Sequence, residues 1–256
     1  MNKIIILIIL TTISNMFSTF KISTKSLSHN AYGDAIKAYE IWYKKYGDKY
    51  KDLMNQHIGT TEHIACYVRN EHILRVNFYR SLHGVPDLKM HKELNYLAQI
   101  LANHIVLSHY YEHGPTINIF GENLCLKTNW LGAGNKAADQ YYDEFFRLNK
   151  NLKAFDFDGT DSEMSDDANS CKRGHALTMI WKDSKEIGVG VAYGDWFFDD
   201  TDNGVWGKNY VIVTLTNPGS IIKNEYKKNI LPRIKSFERL KYETLASDEE
   251  PDNVLD

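Results

Sequence analysis

Four residues with acid–base or metal-ligating side chains stand where apolar elements begin or end. His175 opens GHALTMIWK, ahead of Met179, Ile180 and Trp181. His113 closes YYEHG just before Gly114 and Pro115, Glu122 lies between Gly121 and Asn123 in FGENLCL, and Glu144 sits among aromatics in QYYDEFF. Imidazoles and carboxylates bind divalent ions and move protons near neutrality. One element rarely supplies a complete site, so such chemistry requires groups from separate parts of the chain to converge. Taken singly, each residue has a plainer role. His113 is then a helix-end cation favoured by the dipole, Glu122 a turn acceptor, Glu144 a solvated helix position beside Asp143, and His175 a core, cap, ligand or catalytic ring. The chain has no H-E-x-x-H helix and no evident nucleophile with its own base, which argues against a committed zinc hydrolase. The acidic run FDFDGTDSEMSDDAN (155–169) starts as D-x-D. Its Gly159 falls at the fourth position of a calcium loop instead of the sixth and no glutamate closes the twelfth, so it reads as a solvated surface loop.

The elements that must position these groups are legible from periodicity. AIKAYEIWYKKYGDKYKDLM predicts an amphipathic packing helix broken at Gly47, with Trp42, Tyr46 and Tyr50 at four-residue spacing. EHILRVNFYRSLHGVPDL predicts a helix from Glu71 with Ile73, Leu74, Phe78 and Leu82 on one side, stopped by Gly84 and Pro86. In HKELNYLAQILANHIVLSHYYEHG, Leu94, Leu97, Leu101 and Ile105 recur at helical spacing, and the helix is expected to run to His113. A third core helix, KAADQYYDEFFRLNK, follows a glycine-containing link at 131–135. EIGVGVAYGDWFF and NYVIVTLTN are β-branched or aromatic runs around an Asn203-Gly204 hairpin signal, and they predict paired strands. Helices followed by a β-meander point to an α+β fold with helices packed on an antiparallel sheet.

Bulk properties narrow the partners. With 256 residues, 43% hydrophobic and 25% charged, the composition is that of an ordinary globular chain, and a net charge of -3 gives no general attraction to nucleic acid. Lys3, the apolar run at 4–10 and the polar residues that follow have the layout of a secretory signal over residues 1–20. That run is too short for a permanent bilayer span, and no later segment is apolar enough for one. Export would place Cys66, Cys125 and Cys171 in an oxidising compartment, where an odd count leaves one thiol over.

The ordered string NFYRSLHGVPDL, His113, GENL, YYDE, GH-x-x-x-M-I-W and GVGVA resembles the CAP superfamily: the SCP/TAPS proteins, among them venom allergens, cysteine-rich secretory proteins and plant pathogenesis-related proteins of class 1. The resemblance covers roughly residues 70–235, and the cysteine-poor Golgi-associated type is the most similar in feel. It implies a CAP/SCP domain over 70–235; the residues themselves predict a helical extension at 21–69, with no counterpart in the core family, and an acidic, disordered tail at 236–256. The implied fold is an α-β-α sandwich with a central antiparallel sheet. Its cleft is expected to hold a tetrad of His113, His175, Glu122 and Glu144, able to take a divalent metal such as zinc through ring nitrogens while the carboxylates orient the rings or join the coordination. The resemblance also implies a secreted, extracellular, non-enzymatic protein that binds a small apolar ligand, a sterol or fatty acid, or engages host or other extracellular proteins. Two alternatives stay open: a metal-dependent hydrolase using the tetrad, and an interaction module acting through the acidic loop. Cys125 and Cys171 are the pair expected to form a disulfide. The chain departs from the family pattern at Val76, where a histidine is usual, at Ala176, Leu177 and Thr178 after the glycine-histidine pair, and in the shortened TNPGS at 216–220.

Overall fold

A computed structural model describes residues 31–46, 56–147, 174–195, 197–199, 204–222 and 225–234. The segments expected to be a signal (1–20), an acidic loop (155–169) and an acidic tail (236–256), together with Cys171, lie outside them. The elements in chain order are α1 (Ala31–Tyr46), α2 (Glu62–Leu82), β1 (Lys89–Met90), α3 (Lys92–Ser108), β2 (Gly121–Lys127), α4 (Ala133–Arg147), α5 (Gly174–Ile180), β3 (Glu186–Gly194), β4 (Phe197–Asp199), β5 (Gly204–Trp206), β6 (Asn209–Asn217) and α6 (Tyr226–Asn229). The helix expected from Glu71 begins at Glu62, where the Thr61 side chain accepts from the backbone N–H of Ile64 as an N-cap.

The main sheet has the order β1-β3-β6-β2. β6 pairs antiparallel with β3, as the two late runs predict, and also with β2, a strand not expected from the sequence, while the two-residue edge strand β1 runs parallel to β3. β4 and β5 form a separate antiparallel pair, and Asn203 of the expected hairpin turn lies outside the described residues. Strand alternation sends successive side chains to opposite faces, and two cores result. On one face, Cys125, Val189, Val191 and Ile212 pack with α2, α4 and α5. On the other, Leu124, Ala192, Val211, Val213 and Leu215 pack with α1 and α3. That is the α-β-α sandwich, with the sheet between helical layers.

The GVGVA motif explains how closely α3 approaches. A β-carbon on Gly190 would lie 2.2 Å from the backbone carbon of Ala98, and one on Gly188 2.2 Å from that of Leu94, so only glycine lets the helix sit on β3. α3 also satisfies the outer edge of β3 beyond β1. The N–H of Val189 donates to Asn95 Oδ1 (2.8 Å). Val191 donates to Gln99 Oε1 (3.0 Å) and accepts from Gln99 Nε2 (2.8 Å), and from α2 Arg69 Nε donates to the Val189 carbonyl (2.9 Å). Side chains replace a missing neighbour strand, and the edge is closed to further pairing.

Arg80 ties α2 to the segment carrying His175. Fully buried, it donates to the carbonyls of Pro86 (2.7 Å), Met179 (3.0 Å), Trp181 (2.9 Å) and Ser184 (3.1 Å). Burial lowers its pKa to about 10, still far above neutrality, so the guanidinium stays charged and its donors are matched by carbonyl dipoles. The expected Cys125–Cys171 bridge involves Cys171, which lies outside the described residues; Cys125 itself is a free thiol buried on β2, where its Sγ donates to Gln140 Oε1 at 3.4 Å. Burial pushes that thiol above its ordinary pKa, and an apolar environment of this kind makes it unreactive.

Candidate functional site

His113 does not end a helix. α3 stops at Ser108 because the next residue, His109, takes a left-handed conformation (φ 61°) as its C-cap, and His113 follows in the loop leading to β2. Glu122 is likewise not in a turn but is the second residue of β2, opposite Leu215 of β6. These two placements bring the residues together. His113 Nδ1 lies 2.7 Å from Glu122 Oε1, and the same oxygen accepts from the Gly114 backbone N–H at 2.9 Å. The carboxylate side chain has no exposed surface while the imidazole is half exposed, so the ring bridges a buried charge to the surface.

Glu144 and His175 form a second pair. Glu144, near the end of α4, accepts from His175 Nδ1 at 2.5 Å and from the Ala176 backbone N–H at 3.1 Å. It is therefore not a solvated helix position: its two oxygens hold the first residues of α5. His175 also stacks on Tyr141, one helical turn before Glu144, with ring centroids 4.9 Å apart and planes 12° from parallel.

The four predicted residues thus meet as two His–carboxylate pairs. In each, the carboxylate fixes Nδ1 and leaves Nε2 outside the bond. This is the arrangement in which an outer-shell acid orients a ring for metal binding and sets its tautomer. Glu122 Oε2 is buried with no hydrogen-bond partner among the described residues. Those residues contain no group of three or more His, Cys, Asp and Glu side chains able to share one ion. The donor chemistry nevertheless suits a divalent ion that takes imidazole nitrogens and keeps water or ligand positions open.

Sequence reasoning missed three contributors. Asn123, next to Glu122 on β2, points to the opposite face and donates from Nδ2 to the His175 carbonyl at 2.9 Å; strand alternation predicts that neighbours face apart, but not what each meets. Tyr141 sits three positions before Glu144 on α4, a spacing that could have flagged it. Gly114 admits no side chain, since a β-carbon there would lie 2.9 Å from Leu101 Cδ2, 2.9 Å from Tyr39 Oη and 3.1 Å from Glu122 Oε2.

This sandwich with its paired histidines and glutamates belongs to one class: the chain is a member of the CAP family, and the model of the cysteine-rich secretory protein family matches residues 73–210. Among individual proteins it is similar to the human Golgi-associated plant pathogenesis-related protein 1, with 29% identity over 166 residues, 64% of this chain and 92% of that protein. Two solved structures are similar at lower identity. The structure titled "NaASP2 with Zn2+" shares 16% identity over 68% of this chain and 88% of its own, with a TM-score of 0.47. Na-ASP-1 shares 15% over 65% of this chain, which spans 41% of its length, with a TM-score of 0.45. No helix among the described residues is long and apolar enough to cross a membrane.

Proposed function

We propose that this CAP protein is exported and works by binding rather than turnover, with a divalent ion such as zinc held at the Nε2 atoms of His113 and His175 and a small apolar ligand as cargo. The observation that carries the metal reading is the repeated geometry. Two histidines from unrelated segments each have Nδ1 engaged by a carboxylate, at 2.7 Å and 2.5 Å. A bound ion supplies a Lewis-acidic position open to water or to a polar group of the ligand. Glu122 and Glu144 hold the rings in one tautomer and balance the added charge. Tyr110 and Ile117, on either side of His113 in the chain, are exposed and offer apolar surface to a ligand.

The test is native mass spectrometry of untagged protein secreted from eukaryotic cells, followed by zinc titration by calorimetry. The expected results are a mature mass lacking the first residues, a lipid adduct on the purified protein, and a single zinc site lost in His113→Ala and His175→Ala. A protein that binds neither zinc nor a sterol or fatty acid at micromolar concentration sinks this reading.

A further inference from the structure

Helix α1 lies outside the residues matched by the family model, yet it reaches the site. Its inner face is Ala35 and Tyr39, both essentially without exposed surface, and they join the core formed by α3 and the sheet. The helix is anchored on both sides of Tyr39. At its start, Tyr32 Oη donates to Glu186 Oε2 at 2.6 Å, with Asn217 Nδ2 on the same carboxylate at 2.7 Å, and its ring stacks on His91 at 4.8 Å. Further along, the Trp42 ring lies on the His104 ring with centroids 3.8 Å apart. Between these anchors the Tyr39 hydroxyl has little freedom. It lies 2.9 Å from where a Gly114 β-carbon would stand, and it accepts from Thr116 Oγ1 at 3.5 Å.

Both neighbours of that hydroxyl belong to the segment that carries His113. Gly114 follows it directly and donates to Glu122 Oε1 at 2.9 Å. Thr116, fully buried, accepts from the N–H groups of Ile119 (2.8 Å) and Phe120 (2.9 Å) and so folds the chain back toward β2. A loop held only by its own turn bonds takes its position from what it packs against.

We propose that Tyr39 is a positioning residue for the His113–Glu122 pair, so that the N-terminal extension is a working part of the site. Its buried ring and hydroxyl wedge Gly114 and Thr116 in place, and this holds His113 Nδ1 on Glu122. His175, held by Glu144, Asn123 and Tyr141, is independent of α1. The inference rests on the same pair as the proposed metal site, but it concerns the metal-free protein and can fail or stand separately.

The experiment is a two-bond 1H–15N imidazole spectrum of full-length, chelator-treated protein at about pH 8, where neutral rings report which nitrogen carries the proton. His113→Gln and His175→Gln supply the assignments. In the wild type both rings are expected as the Nδ1–H tautomer. In Tyr39→Ala the His113 ring is expected to shift to the Nε2–H-rich mixture of an unheld imidazole while His175 keeps its Nδ1 proton, and Tyr39→Phe, which keeps the ring but loses the hydroxyl contacts to Gly114 and Thr116, is expected to show a smaller shift at His113 in the same direction. Should Tyr39→Ala fail to fold, Tyr39→Leu preserves apolar volume and is expected to show the same selective change. Wild-type signals for both histidines in a folded Ala or Leu variant overturn the proposal, and so does an equal loss at both rings. A separate zinc titration is expected to weaken by about tenfold in Tyr39→Ala, the size typical of lost outer-shell support. If the wild type binds no zinc, the metal reading falls while the tautomer result still decides the role of Tyr39.

Discussion

Asn123 Nδ2 donates to the backbone carbonyl of His175 at 2.9 Å, so the strand that carries Glu122 on one face also holds the second histidine from its other face. Residues 122 and 123 point apart because strand side chains alternate, and each thereby serves one half of the site.

Replacing Asn123 by Ala should therefore disturb His175 without touching the His113 pair. The lost bond leaves a carbonyl short of a partner, which costs about 1–2 kcal/mol. The expected result is a modest fall in urea midpoint and a zinc affinity reduced several-fold. Unchanged zinc binding in a well-folded variant would show that the strand does not position His175.

Zinc binding at imidazole nitrogens competes with protons. Affinity should therefore be lower in acid, with protons released on metal addition. Calorimetry in buffers of different ionisation enthalpy reads that release directly. Glu144→Gln, which keeps shape but lacks the charge, is expected to weaken binding by about 10- to 100-fold.

Arg80→Met removes the donors that meet the carbonyls of Pro86, Met179, Trp181 and Ser184. Four buried acceptors lose charge-assisted bonds, so destabilisation of about 3–5 kcal/mol is expected, with the backbone near α5 losing hydrogen-exchange protection first. Arg80→Lys should recover little of this, because an ammonium is a compact donor that cannot span four carbonyls.

His72 gives a pH dependence of stability. It is fully buried, with Nδ1 on the Gly134 carbonyl (2.9 Å) and Nε2 on Thr214 Oγ1 (2.9 Å). Burial lowers its pKa to about 4 from an ordinary 6.5. The unfolded chain therefore takes up a proton that the fold refuses. Stability is intact above about pH 6.5 and falls as pH drops toward 4, by an amount on the order of 3 kcal/mol. His83, whose pKa burial also lowers, acts in the same direction. Urea melts across this range should show a flatter slope for His72→Gln.

Gly190→Ala places a methyl 2.2 Å from the backbone of Ala98, where no rotamer relieves the clash. Separating α3 from β3 also loosens the Gln99 bonds to Val191, so a loss of more than 3 kcal/mol or failure to fold is expected, read by thermal unfolding.

Local pattern determined much of this protein. Apolar spacing sets the helices around Leu94, Leu97 and Leu101, β-branched runs set β3 and β6, and the glycines of GVGVA mark where a helix must approach a strand. These signals are local because periodicity and steric size act within a few residues. The ordered motifs also picked out His113, Glu122, Glu144 and His175 as a group. What the tertiary structure decided is how they pair. His109, taking a left-handed conformation, ends α3 early and frees His113 to reach Glu122, and strand register puts Glu122 in a ladder instead of a turn. Cys125 stays a buried free thiol, and Tyr39 reaches Gly114 from a helix more than seventy residues earlier in the chain. Contacts between distant segments depend on how whole layers stack, and spacing within one stretch carries no record of that.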